Sequence, residues 1–323
     1  MARPARSRLA LLLAAAFAWI AKPVGAGPHV GPVVSLAVSG SEVYAVSQAG
    51  VFLEGGAGAT LLARPEFRVF GLAVVSRSRE AGRILLLVGG RPGESGVVAR
   101  LDVTTGGLET REIASDVVYD AAVSPDGKVA ALACADQRVL TLALERFADG
   151  ALDERHKHTA AVRAVAWSPD GVSLVSGGLD GVLLISKRNG NRAAQVLQQH
   201  SAGVESLTFS PDGRFFASGA RDAKVRIHTV DGAYVRAYTG LGMETLRSGL
   251  ERKPYVVALA WGGGSGALVA GTSSGGLYRL AEDDARWAGL EWSRSGPVFS
   301  LGFSERRGLL VGLDGGIEQV REN

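Results

Sequence analysis

Short runs of apolar residues follow one another along the chain and are separated by Gly, Asp, Ser and Pro. Near the start, the runs 33–38, 43–46 and 50–53 succeed each other with only a few small or polar residues between them. Short apolar runs that are rich in β-branched residues and bounded by turn residues predict β-strands. No amphipathic pattern of helical length interrupts them. The chain is therefore predicted to be all-β.

The strands belong to a unit that repeats most clearly in residues 158–185 and 200–227. Three polar residues recur in these copies at a constant spacing of 42: His158 and His200, Ser176 and Ser218, and Asp180 and Asp222. Each copy contains the turn Ser-Pro-Asp-Gly, in which Pro fixes φ and Gly accepts a positive φ. Strand-rich repeats of about 40–45 residues predict the blades of a β-propeller.

Fainter copies raise the number of units to seven. Their first strands begin at Val33, Val69, Val117, Val162, Val204, Val256 and Val298. Trp261 and Phe303 hold matching positions in the last two units, which supports the count. We therefore predict a single domain over residues 27–323, a seven-bladed β-propeller of four-stranded antiparallel blades.

Residues 1–26 differ from the rest and predict a signal peptide. Arginines at 3, 6 and 8 precede an apolar run at 9–20, and Val24-Gly25-Ala26 offers the small residues of a cleavage site. The run is shorter than the roughly 20 residues that span a bilayer, so cleavage is favoured over an uncleaved anchor. We therefore expect a periplasmic or secreted protein. Cys134 is the only cysteine, so no internal disulfide can form.

Cleavage changes the charge balance. The leader holds four basic and no acidic residues, so the 35 Lys and Arg fall to 31 against 32 Asp and Glu, and the net charge goes from +3 to −1. A nearly neutral chain gives no case for binding nucleic acid, nor for binding or inserting into a membrane after cleavage. We expect a protein partner, with the chain monomeric or part of a hetero-complex.

The repeated His, the Ser-Pro-Asp-Gly turn, the Ser-Gly pair and the turn Asp resemble the bacterial WD-repeat β-propeller family, with degenerate repeats. The resemblance is strongest over residues 158–228. It implies a hydrogen-bonded structural tetrad of His, Ser, Asp and Trp in each blade. His158, Ser176 and Asp180, like their counterparts 42 residues later, match three of its places. The Trp place holds Ser186, His228 and Leu142, so apolar packing is expected to replace part of this network.

The His, Ser and Asp of each unit could also suggest a hydrolase. A scaffold repeats its structural contacts, whereas an active site is normally single, and no Gly-x-Ser-x-Gly motif accompanies them. We therefore interpret them as structural. His156 and His158 have the spacing of a zinc pair but lack a third ligand, so no metal site is predicted.

Two loops break the regular spacing, at residues 91–96 and 241–254. The first resembles a loop of bacterial WD-repeat proteins found alongside c-type cytochrome modules, although no haem-attachment motif occurs here. If the orientation of the family holds, both loops lie on the face where the tetrad His residues point. The alternative is a tolerated surface insertion. The candidate partner-binding residues are Arg91, Glu94, Met243, Leu246, Arg247, Leu250 and Arg252.

These observations predict an exported, non-enzymatic scaffold for protein–protein interaction without a cofactor, for example in an envelope or electron-transfer complex. The alternative is an enzyme or cofactor-binding propeller, such as a lactonase-like hydrolase or a quinone-dependent dehydrogenase, that works through the central channel. Asp120, Arg163 and Glu205, near the starts of inner strands, are the candidates for that alternative. They are few for such a site.

Overall fold

The computed structural model describes most of the chain from residue 31 to residue 320. The described ranges are 31–55, 58–75, 83–189, 194–197, 200–239, 244–245, 251–262, 267–280, 287–289 and 296–320. The predicted leader, residues 1–26, lies outside them, as do the four candidates Met243, Leu246, Arg247 and Leu250.

The described strands form seven antiparallel sheets of three or four strands, which we call blades 1 to 7 in chain order, and one two-stranded sheet. Blades 1 and 2 contain β1 (Ser35–Ser39), β2 (Glu42–Ser47), β3 (Gly50–Gly55), β4 (Gly58–Ala63), β5 (Arg68–Val75), β6 (Ile84–Arg91), β7 (Ser95–Asp102) and β8 (Leu108–Ala114). Blades 3 and 4 contain β9 (Val118–Val123), β10 (Val129–Cys134), β11 (Arg138–Ala143), β12 (Leu152–Lys157), β13 (Val162–Trp167), β14 (Ser173–Gly178), β15 (Leu183–Lys187) and β16 (Gln195–Val196).

Blade 5 contains β17 (Val204–Phe209), β18 (Phe215–Ala220), β19 (Val225–Thr229) and β20 (Tyr234–Tyr238). A small hairpin, β21 (Glu244–Thr245) and β22 (Glu251–Arg252), follows it. Blades 6 and 7 contain β23 (Val256–Trp261), β24 (Leu268–Thr272), β25 (Leu277–Leu280), β26 (Trp287–Gly289), β27 (Ser300–Ser304), β28 (Gly308–Leu313) and β29 (Gly316–Val320). A short 3-10 helix, Leu144–Arg146, lies between β11 and β12.

The first strands of the blades surround one axis. Each contacts the first strand of the next blade, in the order β1, β5, β9, β13, β17, β23 and β27, and β27 contacts β1 to close the ring. Within each blade the strands pair antiparallel with their chain neighbours. The predicted seven-bladed β-propeller of four-stranded antiparallel blades is confirmed, and blade 7 shows three strands among the described residues. The described residues contain no helix long and apolar enough to cross a membrane.

The ring closes where the first described residues meet blade 7. The amide of Val33 donates to the carbonyl of Leu313 at 3.0 Å, and Gly315 donates to Gly31 at 3.0 Å. The hydroxyl of Ser300 donates to the carbonyl of Val33 at 2.8 Å. Blades 7 and 1 are therefore joined by backbone and side-chain hydrogen bonds near the axis.

Apolar side chains fill the space between adjacent blades, and small residues on the second strands allow close approach. A Cβ added to Gly219 would lie 2.4 Å from Cγ1 of Val256 in the next blade. Gly177 and Gly271 hold the same place and meet the first valine of the next blade in the same way, at 2.5 Å. The recurring Gly of the second strand is thus set by the distance between blades.

Candidate functional site

The repeated His, Ser and Asp side chains are hydrogen-bonded to one another in both clear repeats. In blade 5, Nδ1 of His200 lies 3.0 Å from Oδ1 of Asp222, and its Nε2 lies 2.9 Å from Oγ of Ser218. Blade 4 repeats this arrangement with distances of 3.2 Å and 2.8 Å. A nitrogen that faces a carboxylate carries the proton, so Nδ1–H donates to Asp and Nε2 accepts from Ser.

Electrostatics support a neutral His next to an ionised Asp. Burial lowers the pKa of His158, and the neighbouring Asp180 offsets this only in part. Burial alone would raise the pKa of Asp180, but the amides of Thr159 and Val182 donate to its carboxylate and lower it. The His and Ser side chains are buried, so these residues are closed off from solvent. The arrangement repeats and is inaccessible, as a structural network requires.

The network of blade 4 has one further member, contributed by blade 3, that the sequence did not predict. Nε2 of His156, on β12, lies 2.7 Å from Oγ of Ser176. Because Ser176 donates to His158, its oxygen is free to accept from His156. His156 therefore makes the hydrogen bond that the family resemblance assigns to Trp, from a different strand. A β-bulge on β12 between its pairs with Val139 and Leu140 changes which way the strand's side chains point.

The residues at the Trp place of the third strands make no such bond. His228 is fully buried, and neither of its ring nitrogens has a partner among the described residues. Its ring stacks on Phe216 at 5.1 Å and meets Tyr234 edge-on at 5.7 Å. Burial lowers the pKa of His228 to about 4, so the ring packs as a neutral aromatic group. The Oγ of Ser186 is likewise buried without a partner in the described part.

A different set of residues lines the central channel at the face where the first strands begin. In blade 3 the structural counterpart of the leading valines is Val118, one residue after the predicted Val117. The residue after this valine in each blade contributes one member to what we call the mouth ring: Val34, Phe70, Tyr119, Arg163, Glu205, Val257 and Phe299. These residues border an axial cavity of about 310 Å³. Because this position holds five different residue types in the seven blades, this is where the repeat produces an asymmetric surface.

Side-chain contacts connect much of the mouth ring. Phe70 meets Tyr119 edge-on at 5.6 Å, and the guanidinium of Arg163 lies 4.1 Å from the centre of the Tyr119 ring. Arg163 also donates to the Glu205 carboxylate at 3.0 Å, and Arg221, from the β18–β19 turn, pairs with the other Glu205 oxygen. Although burial lowers the pKa of Arg163, the neighbouring anions outweigh it and raise that pKa. The result is a charged and aromatic surface that spans blades 2 to 5.

Asp120 lies just below the mouth ring and joins blades 3 and 4. Its two oxygens accept hydrogen bonds from the amides of Val165, at 3.0 Å, and Ala121, at 2.9 Å. Ser35 and Ser206 hold the same place in other blades and accept the same interblade bond, at 3.1 Å each. Burial raises the pKa of Asp120 to about 6 despite these donors. The recurrence of the bond indicates that Asp120 is structural.

The structure describes three of the seven candidate loop residues: Arg91, Glu94 and Arg252. Arg91 ends β6 and Glu94 lies in the β6–β7 turn; both are exposed, at the same face as the mouth ring. The amide of Gly93 donates to Asp116 of the adjacent loop at 2.9 Å, which fixes the turn against blade 3. Arg252 lies in β22, paired with Glu244. Of the three alternative-site candidates, Arg163 and Glu205 form an ion pair and Asp120 lies beside them.

The described residues contain no group of three or more His, Cys, Asp or Glu side chains placed to hold a metal ion. Cys134 is buried, which raises the pKa of its thiol to about 12. The described parts of the chain thus offer the mouth ring as the strongest candidate for molecular recognition.

Comparison with known proteins supports the repeat assignment. Residues 152–185 and 191–229 match the family model "WD domain, G-beta repeat". A solved chain from "Crystal Structure of Mitotic Checkpoint Complex" superposes with a TM-score of 0.73 and 17% identity, covering 100% of this chain and 96% of that chain. No curated protein matches the sequence. The structural likeness establishes the propeller fold, and the sequence match identifies two of its repeats.

Proposed function

We propose that this protein is a WD-repeat propeller that acts as a non-enzymatic scaffold and binds a protein partner at the face of the mouth ring. The observation that carries the proposal is the mouth ring itself. The tetrad-like residues are the same in blades 4 and 5 and their His and Ser are buried, whereas the mouth ring borders the axial cavity and holds five different residue types in seven blades. Aromatic and Arg side chains of this kind are enriched among the residues that dominate protein interfaces.

The polar groups at the mouth favour binding over catalysis. Glu205 is held by two arginines, and both oxygens of Asp120 accept backbone amides. A general base must be able to reach its substrate's proton, and these carboxylates are already engaged. The exposed turn with Arg91 and Glu94 borders the same face and extends the proposed surface outward.

A catalytic alternative rests on one observation, the raised pKa of Asp120 in a cavity. A carboxyl group with a pKa of about 6 is suited to acid–base chemistry. Hydrolysis assays with lactones and esters, together with metal analysis of the purified protein, test it. Turnover that disappears in Asp120→Asn but survives in Ser206→Ala would establish this alternative in place of the scaffold.

A partner-capture experiment tests the scaffold proposal. The baits are the wild type and two variants that are altered on opposite faces of the protein. The mouth variant is Tyr119→Ser with Phe70→Ala, and the control is Arg306→Ala, in the exposed β27–β28 turn on the opposite face. We expect a partner that the wild type and the control retain and the mouth variant loses. Equal capture by all three would contradict the proposal. Circular dichroism checks that the variants are folded.

We further propose that the protein is exported and works in an envelope or electron-transfer complex. The proposal is supported by the basic, apolar and small-residue segments of residues 1–26. N-terminal sequencing of the protein from its native host tests it. A mature protein that begins after Ala26 is expected, and an intact N-terminus in a cytoplasmic fraction would contradict it.

A further inference from the structure

A second cavity adjoins the axial cavity on the same face. It has a volume of about 660 Å³ and lies between the β2–β3 turn of blade 1 and the start of β5 in blade 2. We call it the side groove, and its polar lining residues are Ser47, Gln48, Arg64 and Arg68. Val34 and Arg68 line both cavities, so the side groove runs into the channel mouth.

Basic side chains predominate along this path. Arg64 and Arg68 line the side groove, and no acidic residue is among the described residues that line it. Arg163 lines the axial cavity, and Arg221 reaches its Glu205 from the neighbouring turn. The carboxylates that line the axial cavity are Asp120 and Glu205. Among the described residues along the path there are thus four arginines and two carboxylates.

The two carboxylates do little to repel an incoming anion. The side chain of Glu205 is only 5% exposed and is shared by Arg163 and Arg221. Asp120 points to backbone amides, and burial raises its pKa to about 6, which weakens its charge near that pH. Arg68 is exposed at the junction of the cavities, with its guanidinium 5.0 Å from the ring of Phe70. Desolvation lowers the pKa of Arg68, but the group stays charged at neutral pH.

We infer that the side groove and the channel mouth together bind an extended, acidic segment of the partner protein. Carboxylates of the segment would pair with Arg64 and Arg68, and apolar side chains would contact Phe70 and Tyr119. An Arg pairs with a carboxylate through two parallel hydrogen bonds, which gives specificity as well as affinity. This inference rests on the proposed scaffold function and specifies the chemistry of its ligand.

The test uses fluorescent peptides of equal length, about 8 residues, which span about 26 Å when extended. One alternates Glu with Leu, a second replaces each Glu by Gln, and a third replaces each Glu by Lys. Fluorescence anisotropy with the full chain is expected to rank them Glu, then Gln, then Lys. Arg68→Ala should weaken binding of the Glu peptide about tenfold or more, because it removes the charge-assisted hydrogen bonds of one Arg–carboxylate pair. Arg306→Ala, on the opposite face, should leave it unchanged.

Charge reversal supplies the sharper result. Arg64→Glu with Arg68→Glu should lose the Glu peptide and gain binding of the Lys peptide, which a merely unfolded variant cannot do. Failure of all three peptides to bind the wild type, or equal binding of the Glu and Lys peptides, would overturn the inference. So would an Arg68→Ala variant with unchanged affinity.

The partner-capture experiment separates this inference from the scaffold proposal. A partner that is lost with Tyr119→Ser and Phe70→Ala but retained with both charge reversals would leave the scaffold standing and refute the acidic ligand. A partner insensitive to every mouth and groove substitution would refute both.

Discussion

Replacing the equivalent Ser residues of blades 4 and 5 by Ala, and comparing the losses in stability, isolates the role of His156. Ser176→Ala and Ser218→Ala both remove a fully buried hydroxyl from a His–Ser–Asp network. Ser218 has one imidazole partner, at 2.9 Å, whereas Ser176 has two, at 2.7 and 2.8 Å. Leaving a buried polar group without its partner costs about 1–3 kcal/mol. We therefore expect Ser218→Ala to lower the free energy of unfolding by about 1–3 kcal/mol, and Ser176→Ala by about twice as much.

Urea unfolding followed by tryptophan fluorescence and circular dichroism measures both values, provided that the two probes give coincident transitions. The matched control adds His156→Phe to each background. It should lessen the effect of Ser176→Ala, because one of the two bonds is already gone, and leave the effect of Ser218→Ala unchanged. Equal destabilisation by the two Ser substitutions, or additivity of His156→Phe with Ser176→Ala, would refute the assignment of His156 to the network.

Three further predictions follow from the buried groups. His228→Phe removes two buried nitrogens that have no partner among the described residues and keeps an aromatic ring on Phe216, so it should raise the melting temperature in calorimetry; an unchanged or lower value would contradict this. Burial lowers the pKa of His156 from 6.5 to about 3 and that of His228 to about 4, so the unfolded chain binds more protons, and the free energy of unfolding should fall as the pH drops from about 6.5 towards 3. In urea unfolding, a His156→Phe, His228→Phe protein should lose less stability over this pH range, and an equal loss would argue against the prediction. Gly219→Ala places a Cβ 2.4 Å from the next blade and should destabilise by about 1–3 kcal/mol, whereas Gly316→Ala, with no atom within 4 Å, should be nearly neutral in the same assay.

The repeat explains why the fold could be predicted from the sequence. A 42-residue period, a recurring turn and a recurring small residue on the second strand all reflect constraints that several blades share. The tetrad-like residues were found for the same reason. Each is fixed by local geometry that two blades reproduce.

The candidate site was only partly predictable, because it lies where the repeat varies. Arg163 and Glu205 were recognised as starts of inner strands, but their partners Tyr119 and Arg221 are 44 and 16 residues away and belong to other elements. Comparing the residue after the leading valine of every first strand would have identified the mouth ring, apart from blade 3, where the predicted strand start is one residue too early. His156 gave no periodic signal: the position 42 residues later is Gln198, and a bulge sets the orientation of the strand.

The interblade bonds near the axis have a consequence for how ligand binding could be detected. The bond that Asp120, Ser35 and Ser206 accept joins blades 3 to 4, 1 to 2 and 5 to 6. Between blades 4 and 5 the corresponding place is Ala164, and the mouth contact of Arg163 with Glu205 links those blades instead. Arg163 and Glu205 therefore also hold blades 4 and 5 together. Occupancy of the mouth should slow amide hydrogen exchange in β13 and β17, so recognition would be coupled to the cohesion of the ring.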